Sequence, residues 1–142
     1  MTASCREACC SVTPRLTVSE LFERGFRRNR AAPLPIEGAA LADADGNTAR
    51  FSVNVTGETI AGVSFRVSSC ATLIAYCEYL AEITPGFRLD IANAFTATSL
   101  VEALPGVPAL KRARAVLAVA AFRAALAQAS DDRHPLQTEG SL

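Results

Sequence analysis

Cys70 stands where two hydrophobic periodicities meet. Upstream, Ile60-Ala-Gly-Val-Ser-Phe-Arg-Val-Ser-Ser alternates, which puts Val63, Phe65 and Val67 on one face of a half-buried strand. Downstream, Leu73, Ile74, Cys77, Leu80 and Ala81 recur at helical spacing. Ser68 or Ser69 is suited to cap that helix, whose first turn leaves N–H groups without intrahelical partners. The helix dipole favours a thiol there as thiolate, the form that binds metal or accepts sulfur. The position equally suits a small buried residue at a strand–helix junction, because cysteine is among the most buried residue types. Both readings of Cys70 stand at this level.

The other reactive side chains are sparse. Cys77 follows Cys70 by seven residues, about 10 Å along a helix rising roughly 1.5 Å per residue. Two thiols that far apart do not share one iron, so Cys77 reads as core. Cys5, Cys9 and Cys10 lie in a weakly patterned segment, and their spacing matches no standard zinc or cluster motif. That segment either folds over the Cys70 site and adds thiolates, or carries its cysteines incidentally. His134, the single histidine, sits beside Pro135 in a polar stretch, so a cluster of histidines within one chain is excluded. Gly57, Gly62 and Gly86 are isolated, and no glycine-rich phosphate loop is present. Arg24, Arg27, Arg28 and Arg30 form the one basic cluster; Glu20 and Glu23 adjoin it, as on a solvated helix end. With no Trp and only Tyr76 and Tyr79, no base-stacking platform exists.

Composition narrows the class. A chain of 142 residues is one domain by length. Its 14 basic and 14 acidic residues balance, so no nucleic-acid partner is implied. Half the residues are hydrophobic, which excludes wholesale disorder. No apolar run is expected to reach the length of a membrane span; residues 113–127, interrupted by Arg114 and Arg123, read as an amphipathic helix. The first residues lack a secretory pattern, so a cytoplasmic protein with reduced cysteines is expected.

The elements follow from this pattern. Residues 1–14 and 130–142 read as flexible tails around a domain at 15–129. Residues 18–28 form a short helix capped by Thr17, with Leu21, Phe22 and Phe26 inward. Residues 31–38, with two prolines, are extended or loop. Phe51, Val53 and Val55 alternate with Ser52 and Asn54, and Thr56-Gly57-Glu58 turns the chain into the next strand. The helix after Cys70 stops at Pro85-Gly86, another short helix follows Thr98-Ser99, and the last spans about 109–127.

In this order the chain resembles the NifU/IscU-type iron–sulfur cluster scaffold domain. That family has a Cys-Gly-Asp loop before a hairpin, a second cysteine at the following helix start, and a third, often behind His, opening the last helix. Asp45-Gly46-Asn47 is similar to the first loop, the 49–67 hairpin has similar length, and Cys70 falls on the second cysteine. Thr98-Ser-Leu-Val-Glu-Ala-Leu-Pro-Gly-Val107 resembles the family's linking helix and Leu-Pro-Pro-Val segment, and Phe26-Arg-Arg-Asn-Arg-Ala31 its early Tyr-x-Asn-Pro-Arg-Asn signature. The departures are specific: Asp45 replaces the first cysteine and Asn47 the nearby aspartate, while Arg114 replaces the third cysteine and Ala113 the histidine before it. Arginine stays protonated and ligates no metal. A two-iron cluster takes four protein ligands, mostly thiolate, so Cys70 and Asp45 leave the inherited site incomplete.

The resemblance implies an α+β fold of the SufE/NifU-like kind: a small antiparallel β-sheet of three or so strands covered by helices on one face. Phe51, Val53, Val55, Val63, Phe65 and Val67 are expected inward against Ile74, Leu117 and Phe122. It also implies a non-enzymatic scaffold or carrier that binds an iron–sulfur cluster, iron or sulfur, with zinc as a further metal. Cys70 and Asp45 are the metal-site residues, and a cysteine desulfurase and cluster-assembly proteins are the partners. Two alternatives remain: a protein-binding or regulatory module that kept the fold and lost the cluster, and a SufE-like sulfur acceptor. In the latter family the reactive cysteine occupies the loop of Asp45, which argues against it. Arg114 is expected beside Cys70, pairing with its thiolate or with Asp45.

Overall fold

The computed structural model describes residues 17–133. The expectations for Cys5, Cys9, Cys10 and His134 therefore lie outside the described residues. The sheet has four antiparallel strands, β1 (Ile36–Glu37), β2 (Leu41–Ala42), β3 (Thr48–Thr56) and β4 (Thr59–Val67). β3 pairs with β4 along one edge, and with β1 and then β2 along the other. β3 and β4 are joined by a two-residue turn in which Gly57 takes φ +64°, a conformation glycine adopts without steric penalty.

Alternation places Phe51, Val53, Val63, Phe65 and Val67 inside, as expected, with Val55 only partly buried. Ile60 joins the inner set although its number has the opposite parity to Val63. Val53 faces Val63, but Val55 faces Ile60, so a bulge in β4 inserts one residue and flips the side on which later residues point. On the outer face Ser52 and Ser64 are also buried. The proline-bearing stretch before β1 crosses there, and the Leu34 N–H donates to Ser52 Oγ at 2.9 Å.

The helices are α1 (Val18–Arg28), α2 (Ala71–Ile83), α3 (Leu89–Ala92), α4 (Ala97–Ala103) and α5 (Arg114–Arg133), with a 3₁₀ turn at Ala109–Lys111. α2 and α5 cover the inner face of the sheet. Phe122 of α5 meets Phe51 of β3 edge-on at 5.3 Å between centroids, and Phe51 meets Phe65 of β4 at 5.7 Å. The helix can lie this low because of Gly38, whose N–H donates to the Phe51 carbonyl at 2.9 Å. A Cβ there would fall 2.5 Å from the backbone nitrogen of Ala125.

Three expectations about the helices are corrected. The last helix begins at Arg114 instead of 109, because Pro108 leads into a 3₁₀ turn. It runs to Arg133 instead of 127: Ala129 is fully buried, and Gln128 Nε2 donates to Asp132 Oδ1 at 3.1 Å, which offsets the poor fit of acidic residues at a helix C-terminus. The stretch Ala109–Asp132 is also long and apolar enough to cross a membrane by length and composition, contrary to expectation. Packing accounts for that composition: Ala115, Ala118, Phe122, Ala125 and Ala129 are buried, while Val116, Arg123, Ala127, Gln128 and the two aspartates at the far end meet solvent.

α1 carries a complete capping box, with the Thr17 hydroxyl accepting from the Glu20 N–H and Glu20 accepting from the Thr17 N–H, each at 3.0 Å. Leu21 and Gly25 form its buried face against Ile74 and Glu78 of α2, which turns Phe26 outward to 48% exposure instead of inward. The Arg30 guanidinium covers that ring at 5.6 Å. At the C-terminal end, Asn29 receives the Val67 carbonyl and N–H with its own side-chain amide at 3.1 and 2.8 Å, and Arg28 donates to the Val63 carbonyl at 2.9 Å. Arg28 also grips the buried Glu78 through its other two nitrogens, Nε and Nη2, at 2.6 and 3.1 Å.

Two stability measurements follow. Phe122→Ala removes the ring that joins helix to sheet and should cost about 3–5 kcal/mol in urea unfolding. Burial raises Glu78 to about 7, Arg28 opposing and Glu82 reinforcing the shift. Because the folded pKa lies above the unfolded one, Glu78 contributes stability below its ordinary 4.5 that is lost as pH rises through about 7. Glu78→Gln should flatten the stability profile across that window; an unchanged slope would reject the raised pKa.

Candidate functional site

The site forms where β4 ends, α2 starts and α5 starts. Cys70 is itself the N-cap of α2, with φ −115° and ψ 118°. This corrects the expected serine cap: Ser68 Oγ instead accepts from the Thr48 N–H at 3.0 Å, tying the strand end to β3. The Cys70 thiol is partly exposed and stands where a capping oxygen would be. Burial pushes its pKa up, but the Leu73 N–H, the Arg114 guanidinium and the Thr72 N–H outweigh burial, and the net shift is downward. No full capping hydrogen bond closes, so the sulfur remains free to react.

Arg114 opens α5 with its side chain only 12% exposed. Its Nη1 donates to Asp45 Oδ2 at 3.1 Å and lies 3.8 Å from Asp43 Oδ2. Hydrogen bonding to Cys70 and Asp45 raises its pKa further, and its Nε is buried without a partner. The structure thus brings Cys70, Asp45 and Arg114 together. Asp45 is the arginine's exposed partner.

Asp43, which the sequence reading passed over, builds the loop. Its Oδ1 accepts from the Asp45 and Asn47 N–H groups at 3.0 Å, and the Asn47 amide reaches Oδ2 at 3.1 Å. Gly46 takes φ +87° between them. Partial burial pushes the Asp43 carboxyl up, but the Asn47 and Asp45 donors and Arg114 hold it below the ordinary value. The alternating acids of Asp43-Ala-Asp45-Gly were its signal in the sequence. Cys77 is fully buried, and burial foremost raises its thiol well above the ordinary range, as its core assignment requires.

This donor set does not fit an iron–sulfur cluster. Four ligands, mostly thiolate, are needed. Among the described residues no group of three or more His, Cys, Asp or Glu side chains is placed to hold a metal. Among the described residues Cys70 is the single soft donor at the site, and a guanidinium lies beside it.

Limiting alkylating reagent should modify Cys70 well before Cys77 in the native protein. Arg114→Ala should shift the pH midpoint of Cys70 alkylation upward. Equal reactivity of the two thiols would return Cys70 to a structural role, and an unmoved midpoint would remove Arg114 from the thiolate's environment.

A family model described as the NifU-like N terminal domain matches residues 23–133. The fold is similar to the crystal structure of a nitrogen-fixing NifU-like protein (N-terminal) from Brucella abortus, with a TM-score of 0.61 and 15% identity over 78% of this chain and 92% of that one. A crystallised hypothetical protein is similar at a TM-score of 0.50 and 17% identity, covering 77% of this chain and 98% of its own. No curated protein matches significantly in sequence. The family model covers most of the chain, and the protein belongs to the NifU-like N-terminal domain family, whose general theme is iron–sulfur cluster assembly.

Proposed function

We propose that this domain takes part in iron–sulfur cluster assembly through one thiolate, Cys70, which accepts sulfur from a cysteine desulfurase, and that the described residues of one chain do not build a cluster. The observation that carries this reading is Arg114 at the place of a family ligand. It is a permanent cation that lowers the Cys70 pKa and repels a metal ion.

In the transfer, the Cys70 thiolate attacks the outer sulfur of a persulfide on the donor's cysteine. A new S–S bond forms on Cys70, the donor's S–S bond breaks, and the electron pair leaves on the donor's thiolate. The persulfide's own proton passes to water, and the resulting anion keeps the charge that Arg114 and the first-turn N–H groups of α2 stabilise. No net oxidant is consumed. Sulfur acceptance here differs from the SufE-like pattern in its place, at Cys70 instead of the Asp45 loop.

Mass spectrometry on the full chain, handled without oxygen and mixed with a cysteine desulfurase and cysteine, provides the test. One added sulfur on the Cys70 peptide is expected, absent in Cys70→Ser and formed several-fold more slowly in Arg114→Ala. Unmodified Cys70 would reject sulfur acceptance and favour a protein-binding module. Iron near about one atom per chain with visible absorbance after reconstitution would reject the cluster-free reading. The variant combining Asp45→Cys with Arg114→Cys should bind iron or zinc markedly tighter than the native protein, because thiolates replace a carboxylate and a cation.

A further inference from the structure

We propose that the outer face of the sheet holds a second, unrelated binding site: a cavity between Arg50 and Arg66 that takes a small organic oxyanion, a carboxylate or a phosphate on a short apolar body. The cavity has a volume of about 420 Å³, within the size class of small-molecule sites, and lies under the stretch that carries Ala31 and Pro33.

The rim of the cavity carries an electrostatic misfit. Arg50 of β3 and Arg66 of β4 are register partners, directly opposed across the strands. Both point outward and both are exposed. Like charges in that relation destabilise a sheet. Among the described residues a carboxylate compensates only one of them. Arg50 Nη1 lies 3.2 Å from Glu37 Oε1, whereas Arg66 Nη2 donates to the neutral Ala31 carbonyl at 3.0 Å. Two guanidinium groups thus share one carboxylate at the rim of one cavity.

The remaining lining supplies what an oxyanion with an apolar body needs. Ser52, only 2% exposed, lines the cavity, and its Oγ already accepts from the Leu34 N–H, so its own hydroxyl hydrogen is left to donate. Ala31, Pro33 and Ala40 make the walls apolar. Guanidinium forks match the planar geometry of carboxylate and phosphate oxygens, and the two arginines approach from adjacent strands of a fixed hairpin. An anion seated between them would remove the repulsion that the free protein tolerates. Nothing in this site touches Cys70 chemistry, so it stands whether or not Cys70 accepts sulfur.

The test uses the full chain, isotope-labelled for amide resonances, titrated with succinate, inorganic phosphate and the neutral succinamide. Saturable shifts at millimolar succinate or phosphate, centred on Ala31, Arg50, Ser52 and Arg66, are expected, with none from succinamide. Arg50→Gln and Arg66→Gln should each weaken binding about tenfold or more, as loss of a charged hydrogen bond does. Arg27→Gln, outside the cavity, should not. Response to succinate alone identifies carboxylates, response to phosphate alone identifies phosphates, and either supports the site. Failure of both anions to saturate, an equal response to succinamide, shifts scattered over all arginines, or unchanged binding in the Arg50→Gln, Arg66→Gln double variant would each overturn it. The native titration locates the cavity by itself, so the result does not depend on a variant that folds poorly.

Discussion

The seat of α5 on β3 governs the rest of this molecule. Phe122 meets Phe51 edge-on, and Gly38 lets the strand backbone come within contact of the helix backbone at Ala125. Rings packed this way add about 0.5–1.5 kcal/mol beyond their burial. Their larger effect is positional. With the middle of α5 fixed on the sheet, its first residue is carried to the end of the hairpin, where β4 gives way to α2. Arg114 therefore reaches Cys70 by the geometry of a rigid helix, without a loop that must be ordered separately.

At that meeting point one cation serves three anionic or potentially anionic groups. Asp45 is mostly exposed and holds Arg114 through a contact that water screens. Asp43 is more buried but is already satisfied by the loop it organises. The thiol of Cys70 is left as the group on which the buried guanidinium has the greatest leverage, since charge interactions strengthen where solvent is thin. The first turn of α5 thus offers this site a fixed positive charge. Such a charge favours an anion on sulfur over a bound metal ion.

How far this was legible in the sequence varies by element. The hairpin was plain from alternation, because Phe51, Val53, Val63 and Phe65 sit in regular register. The bulge was not, because nothing in Ile60-Ala-Gly marks which residue is extra until β3 is laid beside it. Phe26 was placed inward on hydrophobicity alone, yet Gly25 admits the close approach of Ile74 and so selects the buried face of α1. The juxtaposition of Cys70, Asp45 and Arg114 followed from order and spacing along a known family. Asp43 escaped because its role is to receive local N–H groups, which hydrophobic periodicity does not register; only its alternation with Asp45 marked it. The far end of α5 escaped for a related reason: paired aspartates argue against a helix C-terminus, and only tertiary burial of Ala129 overrides them.

The join between α1 and β4 has a consequence beyond the single chain. β4 is the outermost strand, and its free side would present a row of unpaired N–H and C=O groups, the template on which a second molecule adds a strand. Asn29 answers both polar groups of Val67 with one side-chain amide, as a neighbouring strand would, and Arg28 occupies the Val63 carbonyl. The helix thereby ends as a counterfeit strand. It closes the Val63–Val67 end of that edge with two consecutive side chains, while the backbone of residues 86–89 closes the other end, where Ile60 exchanges hydrogen bonds with Gly86 and Phe87, and the edge is guarded against aggregation along its length.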